Sequence, residues 1–144
     1  MAKKPLSRHT INLLTKVKDQ IRSEPWAFNM EFFEVGGWYG DISLVDFKNE
    51  HKDWRIPACG TIACIAGWAV KIADPGFKGV INEREGAKTL KIGNDEAAGL
   101  FYIDYWPDNF RLSYNAAVKA NDPVTAAEIA CARIDHFIAT HGQE

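Results

Sequence analysis

The sequence predicts a single, mainly α-helical domain, residues 1–144, in which five or six short helices surround a buried central helix. Three observations support this fold class. The length of 144 residues suits one domain with one hydrophobic core. Several segments repeat apolar residues about every 3.6 positions, as amphipathic helices do. Residues 61–73 are apolar all round except for Lys71, as expected of a helix that other elements enclose.

The first helix is predicted over residues 8–23, where apolar side chains fall on one helical stripe. Ser7 or Thr10 is expected to cap its start, and Pro25 to end it. It is therefore a surface helix with one buried face.

A loop-rich aromatic insertion follows at about residues 31–57, where glycines interrupt any longer period. A short alternation of apolar residues predicts a minor β-hairpin or strand near residues 38–47. Trp38, Tyr39 and Trp54 are candidate ligand-binding residues, because tryptophan and tyrosine are enriched where proteins bind partners. A lid over the hydrophobic core is the equally weighted alternative.

Two short helices are expected after the central one. Asn82 and Glu85 have the spacing of a capping box, which predicts a helix that runs to Leu90. Asn94 is expected to cap the next helix, and the proline after Trp106 to end that region.

Two longer helices complete the chain. The first begins at Asp108 or Asn109, and the second at the pair Asp122-Pro123, an N-cap followed by proline at the first helical position. The predicted inward residues of the first are Phe110, Tyr114, Ala117 and Val118. The predicted apolar face of the second comprises Val124, Ala127, Ile134, Phe137 and Ile138. Its polar residues Arg133, Asp135 and His136 are expected on a solvated face, with Arg133 reaching a carboxylate, although a polar site is the alternative.

Charge and composition argue against two classes of partner. The formal net charge of −2 provides no basic field for non-specific nucleic-acid binding. No uncharged apolar run approaches the ~20 residues that span a bilayer, and no apolar signal core follows Lys3 and Lys4. We therefore expect a cytoplasmic protein with no membrane partner and no cofactor. Three cysteines, an odd number, are expected to be reduced thiols.

Several short motifs are spread along nearly the whole length of the chain. They are Pro25 with Phe28-Asn29-Met30, Cys59-Gly60-Thr61 with Cys64 and Ala66-Gly67-Trp68-Ala69, Leu100-Phe101 with Trp106-Pro107, and Arg133-Ile134 with Phe137-Ile138. In these motifs the chain resembles a family of small uncharacterised proteins of bacteriophages and bacteria. The resemblance implies a phage or prophage setting and a shared fold, but no reaction, because the family has no assigned activity. The segment from Glu31 to Trp54 is longer than the connection that the family usually has between the methionine and the first cysteine.

Cys64 is the candidate nucleophile. With Gly60 or Thr61 as cap, Cys64 falls in the first turn of the central helix, where the helix dipole lowers the pKa of a thiol. Its apolar neighbours favour burial instead, which raises the pKa and makes a thiol inert. No recognisable motif places a histidine as its base.

The cysteines also suggest a metal site. Zinc sites use two ligand pairs, and the candidate pairs are Cys59 with Cys64 and Cys131 with His136. However, Cys131 and His136 share a predicted helix, on which residues five apart point about 140° away from each other. The spacing therefore favours cysteines as small core residues, with a zinc-stabilised structural subunit as the minor alternative.

Cys59, Gly60 and Thr61 lead into the predicted start of the central helix, where free backbone N–H groups can receive a phosphate or carboxylate. The simpler interpretation is that Thr61 caps the helix and Gly60 permits the turn. If the backbone N–H groups bind an anion instead, Cys59, Gly60 and Thr61 are the candidate ligand-binding residues.

The sequence favours a non-enzymatic binding module of phage or prophage type, whose partner is a host protein or a small ligand, an anionic one included. The absence of an assembled catalytic motif and the aromatic insertion motivate this prediction. The alternatives are a small cysteine-dependent or phosphate-handling enzyme and a structural subunit of a larger assembly.

Overall fold

The computed structural model describes residues 5–33, residue 46 and residues 62–143. Within these residues the chain forms six α-helices, which confirms the mainly α-helical fold class. They are α1 (Arg8–Ser23), α2 (Ile65–Ala73), α3 (Glu83–Leu90), α4 (Asn94–Phe101), α5 (Asp108–Lys119) and α6 (Pro123–Ala139). Two short 3-10 turns, Pro25–Ala27 and Ile103–Tyr105, follow α1 and α4.

The helix α2 is the central element of the described core. Its residues 65–70 are all buried, and α1, α3 and α4 pack against it. The helices α5 and α6 pack against each other, and α6 also packs against α1. The described helices thereby share one hydrophobic core. None of them combines the length and the apolar character that a membrane crossing requires.

The central helix begins later than the sequence predicts. It starts at Ile65, with Cys64 as its N-cap, so the expectation that Gly60 or Thr61 caps it is wrong. The cause is tertiary, because Ala63 forms an isolated parallel bridge with Phe28. In this bridge the Ala63 N–H donates to the Ala27 carbonyl, and the Ala63 carbonyl accepts from the backbone N–H of residue 29. These hydrogen bonds hold the backbone extended before the helix begins.

Small residues occupy two close contacts of the central helix. Gly67 lies against the backbone carbonyl oxygen of Phe33, which would overlap with a β-carbon at that position. On the adjacent face, Ala66 meets Gly86 of α3, where an added β-carbon would lie 2.8 Å from the Ala66 methyl. Absent side chains therefore allow two segments of backbone to approach α2 closely.

Three of the predicted helix caps are confirmed. The side chains of Ser7, Asn82 and Asp122 accept hydrogen bonds from the backbone N–H groups of Thr10, Glu85 and Thr125. The prediction for α4 is wrong by one residue, because Asn94 is its first helical residue and Gly93 is the N-cap. Local side-chain chemistry thus determines most of the helix starts.

Two predicted core residues are exposed. Val118 of α5 and Val124 of α6 are 41% and 58% exposed, so their assignment to inward faces is wrong. The buried face of α6 runs instead through small residues such as Ala126 and Ala130. Alanines allow close helix packing, and they outweigh a single larger apolar residue in setting which face is buried.

The predicted strand near residues 38–47 lies outside the described residues, apart from residue 46. The same holds for most of the aromatic insertion at residues 31–57.

Candidate functional site

A cleft of about 390 Å³ opens between the segment after the first 3-10 turn and the region from the end of α4 into α5. One wall consists of Asn29, Met30 and Glu31. The opposite wall consists of Tyr102, Ile103 and Asp104, together with Tyr114, Asn115 and Val118 of α5. The volume falls within the range of small-ligand pockets, ~300–1,000 Å³. It is named here the acidic cleft, because the charged residues among these nine, Glu31 and Asp104, are both acidic.

Tyr114 forms the floor of the acidic cleft. It is 3% exposed, and its hydroxyl oxygen accepts a hydrogen bond from the Met30 N–H at 3.1 Å. The rings of Phe28 and Trp106 hold it edge-on, with centroid separations of 6.1 Å and 5.4 Å. Burial raises the pKa of Tyr114 far above its usual value, so the hydroxyl remains protonated. Within the described residues, the hydroxyl hydrogen itself has no acceptor.

Asn29 lies beside Tyr114 on the floor and is 7% exposed. Its Oδ1 accepts from the Glu31 N–H at 2.8 Å, which determines the orientation of the side-chain amide. The Nδ2 group makes no hydrogen bond to any residue that the structure describes. Two N–H donors of Asn29 therefore remain available in the cleft that Tyr114 also lines.

The rim of the acidic cleft combines negative charge with an aromatic ring. Glu31 and Asp104 are exposed carboxylates. Tyr102 is 37% exposed and stands edge-on to Phe33 and Tyr105, with both centroid distances at 6.3 Å. Partial burial raises the pKa of Tyr102, and its hydrogen bond with Glu83, which lies outside the cleft lining, adds to the effect. This combination attracts a cation more strongly than an anion.

The predicted ligand-binding residues are not among those that the structure describes. Cys59, Gly60 and Thr61 lie in the gap before residue 62, and Trp38, Tyr39 and Trp54 lie in the insertion. Their roles stay predictions.

The start of the central helix is better defined. The Cys64 N–H donates to the Phe32 carbonyl at 2.9 Å, and the Phe33 carbonyl lies against Gly67. Two carbonyl oxygens of the chain itself therefore lie against the start of α2. Because both would repel an anion, this arrangement disfavours a phosphate there.

Cys64 occupies the N-cap of α2 and not its first turn, so the predicted helical position of the candidate nucleophile is wrong. The residue is 2% exposed. It lies close enough to Tyr114 and Tyr102 to raise the pKa of both phenols, although burial is the larger cause. Cys64 is thus buried behind the floor of the acidic cleft and does not line it.

The structure does not bring the described zinc candidates together. Cys131 is buried and directs its thiol to the Lys18 carbonyl of α1, at 3.7 Å. The His136 ring packs instead on Phe110 of α5, with ring centroids 5.4 Å apart. Among the described residues, no three His, Cys, Asp or Glu side chains are grouped so that they could hold a metal ion. Cys59 is not described, so its predicted ligand role is not tested.

Arg133 overturns one prediction for the last helix. It is 0% exposed and does not lie on a solvated face. Its Nη2 donates to the Gly99 carbonyl at 2.7 Å, and its guanidinium carbon lies 5.9 Å from the ring centroids of both Trp106 and Phe137. A planar, weakly hydrated guanidinium can stack on aromatic rings in this way. Since Trp106 in turn packs on Tyr114, Arg133 supports the cleft floor from behind.

Most of the acidic cleft cannot be identified from the sequence. Asn29 and Met30 stand in a family motif and Tyr114 on a predicted inward face, but no sequence feature links them to a ligand. No local pattern marks Glu31 or Asp104, whose proximity depends on how the chain folds. Arg133 had a signal: it continues the spacing of Ala126 and Ala130 toward Phe137, at helical intervals of four, three and four residues.

Burial raises the pKa of the Cys131 thiol to about 11 from an ordinary value of 9.0. At pH 8 its thiolate fraction should be about 100-fold smaller than that of an ordinary cysteine, partly offset by the higher nucleophilicity of a more basic thiolate. We therefore expect iodoacetamide to label native Cys131 at least about tenfold more slowly than the urea-unfolded chain, as followed by peptide mass spectrometry.

The same shift sets a pH dependence of stability. The contribution of the protonated thiol is complete below about pH 9 and is lost as the pH rises through about 11. Equal labelling rates of Cys131 in the native and unfolded protein would contradict both expectations.

Comparison of the chain with protein-family models, with curated proteins and with solved structures finds no match.

Proposed function

We propose that this protein is a non-enzymatic binding module of phage or prophage type, and that the acidic cleft is its ligand site. One observation carries the proposal. Asn29 and Tyr114 are more than nine-tenths buried, yet both retain hydrogen-bond donors that the described residues do not use. Because both residues line the cleft, a ligand that provides an acceptor can form hydrogen bonds with these donors.

The partner is a host protein or a small molecule of the cytoplasm. The acidic rim narrows its chemistry, because Glu31 and Asp104 repel phosphates and carboxylates. An anionic ligand is therefore disfavoured at the acidic cleft. The cysteine-dependent enzyme is the weaker alternative, since the Cys64 thiol lies behind the cleft floor and is 2% exposed.

A pair of tryptophan substitutions tests the site. Val118 is an exposed residue of the cleft wall, so Val118→Trp should fill the cleft without disturbing its floor. Val124 is also exposed and lies outside the cleft, so Val124→Trp is the matched control. The immobilised proteins are incubated with bacterial extract, and bound proteins and metabolites are quantified by mass spectrometry.

The expected result is a bound species that the wild type and Val124→Trp retain equally and that Val118→Trp loses by about tenfold or more. An identical set of bound species for both variants would refute the acidic cleft as the ligand site. Cys64→Ser is expected to retain the ligand, whereas specific loss of a substrate-derived adduct in that variant would favour the enzyme.

A further inference from the structure

We propose that the acidic cleft binds an arginine or lysine residue of a peptide, with the cationic group at Glu31 and Asp104 and the peptide carbonyl oxygen at Asn29 and Tyr114. This inference rests on the proposed function and specifies the ligand of the same site.

The hydrogen-bond donors on the floor of the cleft select a carbonyl group in the ligand. Tyr114 contributes a hydroxyl hydrogen, and Asn29 contributes two amide hydrogens, so the floor donates and does not accept. Because the pKa of Tyr114 is far above neutrality, the hydroxyl keeps its hydrogen over the physiological pH range. A carbonyl oxygen has two lone pairs and can accept from both side chains at once.

The negative charge at the rim of the cleft selects a cationic group in the ligand. Glu31 and Asp104 give the lining a charge of −2, with no basic residue among the nine lining residues to neutralise it. Tyr102, which is 37% exposed, adds an aromatic ring whose quadrupole attracts a cation. A guanidinium or ammonium group therefore satisfies the rim, whereas a second carbonyl or a carboxylate does not.

The apolar walls and the size of the cleft suit an aliphatic stem between the carbonyl and the cationic group. Met30, Ile103 and Val118 present apolar surface between the floor and the rim. The aliphatic stem of arginine or lysine suits such a surface, because these side chains bury their methylene groups while the charged end stays hydrated. At about 390 Å³, the cleft lies near the lower end of ligand pockets, which suits one residue and not a folded segment.

Blocked amino acids separate the two contacts. The probe is N-acetyl-arginine amide, titrated into the isotopically labelled full chain and followed by NMR. N-acetyl-citrulline amide retains the carbonyl and the side-chain shape but has no charge. Propylguanidine retains the guanidinium and its aliphatic stem, with the same charge, but has no peptide carbonyl. We expect N-acetyl-arginine amide to bind at least about tenfold more tightly than either control, with shifts centred on the lining residues of the cleft.

Two variants assign the contacts. Glu31→Gln and Asp104→Asn exchange exposed carboxylates for neutral amides, so the fold should be retained. Each is expected to weaken the binding of N-acetyl-arginine amide about threefold to tenfold at low ionic strength, and less at high ionic strength. Binding of citrulline amide should not change in either variant. Tyr114→Phe removes the floor hydroxyl and should weaken both amides, with the melting temperature recorded to identify a folding defect.

Equal affinity for the arginine and citrulline amides, or shifts outside the cleft, would overturn the inference. Tighter binding of free arginine than of its blocked amide would overturn the peptide source. If N-acetyl-arginine amide does not bind but Val118→Trp still loses a ligand from the extract, the proposed ligand class is wrong and the cleft remains the ligand site. If neither experiment shows binding that depends on the cleft, the proposed function fails as well.

Discussion

Arg133→Ala is expected to lower the free energy of unfolding by about 3–5 kcal/mol, the largest effect of any single substitution considered for this protein. Arg133 is 0% exposed, and it fills the space between Trp106 and Phe137 while donating to the Gly99 carbonyl. Truncation leaves a cavity between two aromatic rings and removes the hydrogen bond from that carbonyl. Urea unfolding followed by circular dichroism measures the change.

Arg22→Ala is the matched control. Arg22 also lies on a helix and pairs with a carboxylate, Glu128, at 3.3 Å, but both side chains are about half exposed. Exposed ion pairs contribute little, so we expect a loss below about 1 kcal/mol. Arg133→Met keeps much of the side-chain volume and should recover part of the loss if packing dominates. An Arg133→Ala variant no less stable than Arg22→Ala would contradict the structure around α6.

Gly67→Ala is expected to destabilise the protein by about 2–3 kcal/mol, although alanine is the better helix former by about 1 kcal/mol. The reason is steric. The new methyl would overlap with the Phe33 carbonyl oxygen and would lie 2.7 Å from the Ala63 methyl. Because the obstacle is backbone and not the end of a flexible side chain, the contact can be relieved only by moving a segment of the chain.

Gly99→Ala is expected to change the stability in the opposite direction and is the control for Gly67→Ala. Gly99 lies inside α4, and an added β-carbon would have no other atom within 4 Å. The substitution should stabilise the protein by about 0.4–1 kcal/mol through helix propensity alone. Thermal and urea unfolding of both variants provide the comparison. A stabilising Gly67→Ala substitution would show that the Phe33 backbone does not lie against α2.

The helices themselves could largely be predicted from the sequence. Ser7, Asn82 and Asp122 cap helices where their side-chain chemistry indicates, because a cap depends on residues within one turn. The faces of α5 and α6 were harder, since Val118 and Val124 fit an apolar stripe and are nevertheless exposed. Close packing through alanines decides between such stripes, and a hydropathy pattern underrates alanine.

The candidate site was much less predictable than the helices. Asn29 and Tyr114 are 85 positions apart in the chain. They share one floor because the Met30 N–H donates to the Tyr114 hydroxyl and Phe28 packs on the Tyr114 ring. Arg133 had the spacing of a buried residue, but a charged residue is seldom fully buried, so composition argued against its position.

By itself, the sequence determined the mainly helical fold class, most helix boundaries and the buried central helix, because helical period and capping are local properties. Only the tertiary structure decided where α2 begins, that Arg133 is enclosed by aromatic rings, and that two carboxylates and two buried donors face one cleft. These features depend on contacts between residues far apart in the chain, which no local pattern encodes.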